Sequence, residues 1–67
     1  MEAAAERFQN DVIEEHRVAV AGLGRLEVFV TGPIFPILDP AVQTLLLEQA
    51  SVMPLYVDVL RRRIARF

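Results

Sequence analysis

The sequence contains no cysteine, no tryptophan and no lysine, and it has a single histidine. Without cysteine the chain cannot form disulfides, and one histidine argues against a structural zinc site. A domain of about 60 residues buries only about 60% of the surface that its unfolded chain exposes, so one small core gives little stability. Because 54% of the residues are nevertheless hydrophobic, we expect the chain to bury apolar surface by self-association, as a dimer or tetramer.

Positive charge is also scarce. The net charge is −2, with six acids and three arginines in residues 1–30 and three acids and four arginines in residues 31–67. A nucleic-acid-binding protein normally shows a broad basic face, so we expect no nucleic-acid partner. The compact basic cluster Arg61, Arg62, Arg63 and Arg66 fits either cations at a helix end, which complement the helix dipole, or an anion site.

Long hydrophobic runs are missing too. The longest uncharged run, Val28 to Leu38, has eleven residues and contains Gly32, Pro33 and Pro36, whereas a membrane-spanning helix needs about 20 apolar residues. Glu2 and Glu6 argue against a secretory signal at the N-terminus. We therefore expect no membrane partner and a cytosolic protein.

What the sequence does contain is helical periodicity. Apolar and small residues recur in steps of three and four, a spacing that predicts an all-α protein made of two helices. The predicted seam of the first helix is Phe8, Val12, Glu15, Ala19, Gly22, Leu26 and Phe29. That of the second is Val42, Leu46, Gln49, Met53, Tyr56, Leu60, Arg63 and Phe67. Gly22 and Gly24 fit either a close helix–helix approach or, alternatively, room for a ligand or a bend.

Turn residues separate the two helices. Gly32 and Pro33 should end the first helix, with glycine in the left-handed conformation that often follows a helix. Asp39 and Pro40 should open the second as N-cap and first helical residue. We predict one antiparallel hairpin, residues 1–67, with a helix at about 3–30, an apolar loop at 31–39 that caps the end of the bundle, and a helix at about 40–66 that continues through Pro54. Such hairpins would assemble into a helical-bundle homo-oligomer.

Polar residues interrupt the predicted seams. Gln49, Tyr56 and Arg63 are spaced by seven, and a turn near residue 34 places Glu15 near Met53 and Tyr56, because facing positions then sum to about 68. Burying such groups is costly unless each is paired. They form either a polar layer that fixes register and oligomeric state or a ligand pocket, with Arg63 for an anion, Tyr56 for a flat ring, and Gln49 or Glu15 for donor and acceptor edges.

Enzymatic motifs are not apparent. No serine or cysteine accompanies His16, which we expect on the surface. The adjacent carboxylates Glu14 and Glu15 point some 100° apart on a helix, and Gly22-Leu23-Gly24 is too short for a phosphate-binding loop. We predict no catalytic residue, no metal ligand and no cofactor, and hence not an enzyme.

The chain resembles a group of small phage and prophage proteins over about residues 8–67. The resemblance rests on Val12-Ile13-x-Glu15, on Leu26-x-x-Phe29, and on the order Gln49, Met53, Tyr56, Arg63-Ile64 in the second helix. Asp11 stands where the pattern usually has arginine, Arg62 replaces what is often an acid, and Pro54 is unusual.

This resemblance implies kinship with viral anti-CBASS nucleotide sponges, which are small helical oligomers that bind cyclic dinucleotides such as 3′3′-cGAMP. It implies an immune-evasion protein that acts in the cytoplasm of the infected bacterium and sequesters the defence signal without hydrolysing it. The ligand-binding residues would be Glu15, Gln49, Tyr56, Arg62 and Arg63. The alternative is a structural or protein-binding phage hairpin that has no small-molecule ligand and whose polar layer only sets assembly.

Overall fold

The computed structural model describes residues 2–67, which form two antiparallel helices. Helix α1 spans Glu2–Val30, a short 3₁₀ helix spans Phe35–Ile37, and helix α2 spans Pro40–Ile64. The two long helices pack against each other along a rod of 52 × 15 × 15 Å. The predicted all-α hairpin is confirmed, and α2 continues through Pro54.

Helix α1 ends at Val30, as the sequence predicts, but different interactions from those predicted terminate it. The Thr31 hydroxyl donates to the carbonyls of Glu27 and Val28, and the Gly32 N–H donates to the carbonyl of Phe29. No glycine in residues 2–67 has a positive φ, so the left-handed conformation expected at Gly32 was wrong. Hydrogen bonds from a side chain satisfy the terminal carbonyls instead.

The start of α2 also differs in detail from the prediction. Asp39 occupies the N-cap position but makes no side-chain capping bond. Gln43 stabilises the junction, since its amide donates to the carbonyls of Pro36 and Leu38, at 3.2 and 2.8 Å. The apolar loop covers the end of the bundle only in part, because Ile37 is 80% exposed.

The core between the helices is small. Val12, Leu26 and Leu60 are its buried apolar residues, and Leu60 is fully enclosed. Buried and half-buried side chains repeat in steps of three and four on both helices. On α1 they include Val12, His16, Ala19, Leu23, Leu26 and Val30. On α2 they are Gln43, Leu46, Ala50, Met53, Val57, Leu60 and Ile64, together with Asp58.

The seam within the hairpin is thus rotated by about one residue from the predicted one. It keeps Leu46, Met53 and Leu60 but replaces the polar series Gln49, Tyr56 and Arg63, all exposed, with Ala50, Val57 and Ile64. This rotation spares the cost of burying an amide, a phenol and a guanidinium. The same rotation puts His16 in place of Glu15 at the seam, so His16 is half-buried and the surface position expected for it was wrong.

Candidate functional site

The polar residues left outside the seam meet along one side of the hairpin. We call this side the open face; its members are Phe8, Glu15, Gly22 and Phe29 of α1 and Val42, Gln49, Tyr56 and Arg63 of α2. Within each helix they are spaced by seven residues, and a seven-residue spacing keeps side chains on one stripe of a helix. The two stripes run side by side along the rod.

Two contacts across the open face fix its register. The Tyr56 hydroxyl donates a hydrogen bond to Glu15 Oε2, and the Arg63 guanidinium lies over the Phe8 ring, 5.8 Å from its centroid. Each contact joins residues whose numbers sum to 71. The expected proximity of Glu15 and Tyr56 is therefore confirmed.

Two neighbouring residues have opposite effects on the pKa of the Tyr56 phenol. Its hydrogen bond to Glu15 raises the pKa of Tyr56 above its usual value, and the positive charge of Arg63 opposes that rise. Tyr56 therefore stays protonated well into the alkaline range. Its hydroxyl hydrogen bonds to Glu15, while the residue remains 45% exposed.

A groove of about 680 Å³ lies along this face, and Glu15 and Tyr56 are among the residues that line it. Its wall from α1 consists of Asp11, Glu14, Glu15, Val18, Ala19, Gly22 and Arg25, and its wall from α2 of Gln49, Met53 and Tyr56. Gly22 widens it, because the nearest atom that a Cβ there would meet is Met53 Cε, at 3.5 Å. Gln49 Nε2 lies 3.5 Å from Met53 Sδ, a weak contact that a stronger acceptor could replace.

The charges of the groove are unequal. It holds three carboxylates, on Asp11, Glu14 and Glu15, against one guanidinium, on Arg25. Arg17 binds Glu14 with hydrogen bonds of 2.5 and 2.9 Å and holds the pKa of that carboxyl below its ordinary value. Since Glu15 accepts from Tyr56, Asp11 is the acid of the groove to which the structure gives no hydrogen-bonding partner among the side chains it describes, those of residues 4–67.

The five sequence-predicted site residues fall into two groups. Glu15, Gln49 and Tyr56 line the groove together. Arg63 packs on Phe8 beyond the groove, and Arg62 hydrogen bonds to Asp58 at 2.9 Å.

Asp58 forms hydrogen bonds with the basic cluster at the end of α2. Arg61 donates to Asp58 Oδ1 at 2.6 Å, on the opposite oxygen from Arg62. Hydrogen bonding to Arg61, supported by the charges of both arginines, lowers the pKa of the Asp58 carboxyl below its ordinary value. One acid thus engages two of the four arginines and leaves the others for further contacts.

Sequence reasoning missed Arg25 as a groove residue. The signal was available, since Glu15, Val18, Gly22 and Arg25 are separated by three, four and three residues and so share one side of a helix. Arg25 is the guanidinium that an anionic ligand in the groove would meet first. No cluster of candidate metal ligands occurs among residues 4–67, whose side chains the structure describes. In the same part of the chain, neither helix is long and apolar enough to cross a membrane.

Comparison with protein-family models matches the chain to the family described as Sequestin, over residues 6–66. The match takes in both helices, the connecting loop and every residue of the groove. Searches of curated proteins and of solved structures gave no match.

Proposed function

This chain belongs to the Sequestin family, and we propose that it binds a cyclic dinucleotide signal, such as 3′3′-cGAMP, and sequesters it without hydrolysis. The family's name suggests a protein that sequesters a ligand, which agrees with the resemblance to nucleotide sponges. We propose further that it is a phage immune-evasion protein, which acts in the cytoplasm of the infected bacterium and withholds the signal from its receptor.

The groove around Tyr56 is the observation that carries this proposal. Small-molecule sites typically have volumes of about 300–1,000 Å³, mostly apolar walls and a few convergent polar groups. The groove meets these criteria, with Met53, Val18 and Ala19 as apolar wall and Glu15, Gln49 and Tyr56 as polar groups. It is the right size for a nucleotide base with its ribose.

Each polar residue of the groove has a chemical role in this proposal. The exposed Tyr56 ring stacks on a base, an interaction that tolerates any base because every base has a π-face. The Gln49 amide both donates and accepts, so it can read the edge of a base, and the Glu15 carboxylate accepts from an exocyclic amine or a ribose hydroxyl. Arg25 binds a phosphate through its planar fork of donors.

A single hairpin lacks the charge for both phosphates of such a ligand. The groove has one arginine against three acids, and the sequence-predicted arginines, Arg62 and Arg63, lie outside it. We propose that the protein works as a homo-oligomer and that arginines of a second copy bind the second phosphate. Sequestration of this kind requires affinity and abundance, and it requires no catalytic group.

Calorimetric titration with cyclic dinucleotides tests the proposal. Ligands with two adenines, two guanines or one of each should include at least one that binds the wild-type protein. Arg25→Ala should weaken binding on the order of 100-fold, since truncating a charged partner of a phosphate has that scale. Tyr56→Leu should weaken it about tenfold or more through lost stacking. Arg7→Ala removes an exposed arginine of the same helix outside the groove, so it should leave the affinity unchanged.

The alternative is a structural or protein-binding hairpin without a small-molecule ligand. The extent of exposed apolar surface on both helices favours it. Wild-type protein that binds none of the dinucleotides, or Arg25 and Tyr56 variants that bind as well as Arg7→Ala, would refute the groove as a nucleotide site and leave this alternative.

A further inference from the structure

Helix α2 carries a second apolar stripe that α1 covers only in part. We call it the outer stripe; its members are Val42, Leu45, Gln49, Val52, Tyr56 and Val59. Their steps of three and four are those of a helix–helix interface. The five members other than Gln49 are between 42% and 63% exposed. A helix with two such stripes has one for its partner in the hairpin and one for another helix.

The opposite flank of α2 has a different chemistry. Thr44 and Ser51 lie there and donate to backbone carbonyls of their own helix, and Asp58 binds Arg61 and Arg62. That flank also exposes Leu47 and Leu55, so it is polar only in part. The outer stripe, with five exposed apolar or aromatic side chains, is the longer apolar surface of α2.

The exposed area has the size of one protein interface. The chain exposes 5180 Å², whereas a compact monomer of 7.5 kDa exposes roughly 4,250 Å². The excess of roughly 900 Å² matches the ~800 Å² that each partner buries in a standard interface. One further copy of the hairpin would therefore remove the excess.

We infer that the outer stripe binds the outer stripe of a second copy, antiparallel, about a two-fold axis at Val52. An isologous contact of this kind is the commonest form of association between identical chains. About this axis Val52 meets its own equivalent and Leu45 meets Val59 of the second copy. Gln49 and Tyr56, which line the groove, lie at the edge of this contact nearest α1.

The charges at the two ends of α2 select the antiparallel arrangement. Arg61, Arg62, Arg63 and Arg66 all lie at its C-terminal end, so a parallel pair would bring two basic clusters together. In the antiparallel pair this cluster lies beside the start of the other α2. Asp39 is exposed there and makes no capping bond with its side chain, so it is available to Arg66 of the second copy.

The same geometry supplies the groove with positive charge. Residue pairs within the hairpin sum to about 71, which puts Arg25 level with Leu46. Arg63 of the second copy reaches the level of Val42, about one helical turn from Arg25. This consequence rests on the proposed ligand, whereas the interface itself does not.

Single cysteines in this cysteine-free chain test the interface directly. Val52→Cys, on the axis, should form a disulfide-linked dimer within minutes of mild oxidation. Ser51→Cys is the matched control, since it is exposed at the same level of α2 but on the polar flank, and it should stay monomeric on a non-reducing gel. Failure of Val52→Cys to cross-link, or equal cross-linking of Ser51→Cys, would overturn the inference.

A mixing experiment tests the direction. Positions 45 and 59 lie seven residues either side of 52, so a mixture of Leu45→Cys and Val59→Cys should give the mixed disulfide and little of either homodimer. Homodimers of Leu45→Cys would show parallel packing and refute the proposed axis.

Sedimentation equilibrium supplies an independent readout. Val52→Glu should raise the dimer dissociation constant on the order of 100-fold, because it buries two unpaired carboxylates. Ser51→Glu should leave the constant unchanged. Nucleotide titration of these variants is a separate measurement, so a sound interface with no ligand binding would refute only the proposed function.

Discussion

Replacing each of the two internal glycines of α1, Gly22 and Gly24, with alanine tests whether glycine is there to make room for a ligand or to allow a close contact between the helices. Glycine in a helix interior costs about 0.8–1.0 kcal/mol relative to alanine. A Cβ at Gly24 meets nothing within 4 Å, and one at Gly22 meets only Met53 Cε at 3.5 Å and Arg25 Nη2 at 3.8 Å, both ordinary contacts. Gly22→Ala and Gly24→Ala should therefore each stabilise the protein by about 1 kcal/mol.

Urea unfolding at one fixed protein concentration measures this gain, because the stability of an oligomer depends on concentration. The midpoint of thermal unfolding should rise by about 4–8 °C for each variant. Ligand affinity should then distinguish the two, since Gly22 lines the groove and Gly24 does not. We expect weaker binding for Gly22→Ala and unchanged binding for Gly24→Ala.

Two results would refute this reasoning. If Gly22→Ala loses stability while Gly24→Ala gains it, Gly22 is needed for a close approach between helices. If both variants gain stability and bind a nucleotide equally well, the ligand does not occupy the groove beside Gly22.

Three further outcomes follow from particular contacts. Tyr56 is the chain's only tyrosine, so phenolate absorbance should show it titrating above 10.0, and Glu15→Gln should return its pKa towards that value. Because the folded pKa is raised, the stability from this contact is present below pH 10 and should be lost as pH rises through the folded pKa. Leu60→Ala should cost about 2–5 kcal/mol of unfolding free energy, since the side chain is fully buried, whereas Leu55→Ala, exposed on the same helix, should cost under about 0.5 kcal/mol. Asp58 has a lowered pKa, so the thermal midpoints of wild type and Asp58→Asn should differ at pH 7 and converge as pH falls below 4 through the folded pKa.

The sequence predicted the topology because its turn signals are local and strong. Thr31-Gly32-Pro33 and Asp39-Pro40 mark the two ends of the loop, and helix propensity and periodicity predict the helices on either side of it. The proximity of Glu15 and Tyr56 followed from counting back from the turn. The hydrogen bonds from the Gln43 amide to the carbonyls of Pro36 and Leu38 could not be predicted. They depend on the conformation of the Gln43 side chain and of the loop, which the spacing of residues does not determine.

The facing of the helices could not be predicted, because α2 is apolar on two sides. One series of residues in steps of three and four contains Val42, Gln49 and Tyr56, and a second such series contains Gln43, Ala50 and Val57. From the sequence alone, either series could face α1. Only the packing of both helices together decides which series is enclosed. Arg25 was missed for this reason, since it flanks the seam that actually forms.

Heat extraction of the purified protein tests the central claim most directly. The protein should be isolated from bacteria that make a cyclic dinucleotide signal, denatured by heating, and its supernatant analysed by mass spectrometry. The account predicts an intact cyclic dinucleotide, in proportion to the protein, that still activates its receptor. A linear or hydrolysed product would show an enzyme, and a supernatant without any nucleotide, from protein that also binds none in titration, would contradict sequestration of this signal.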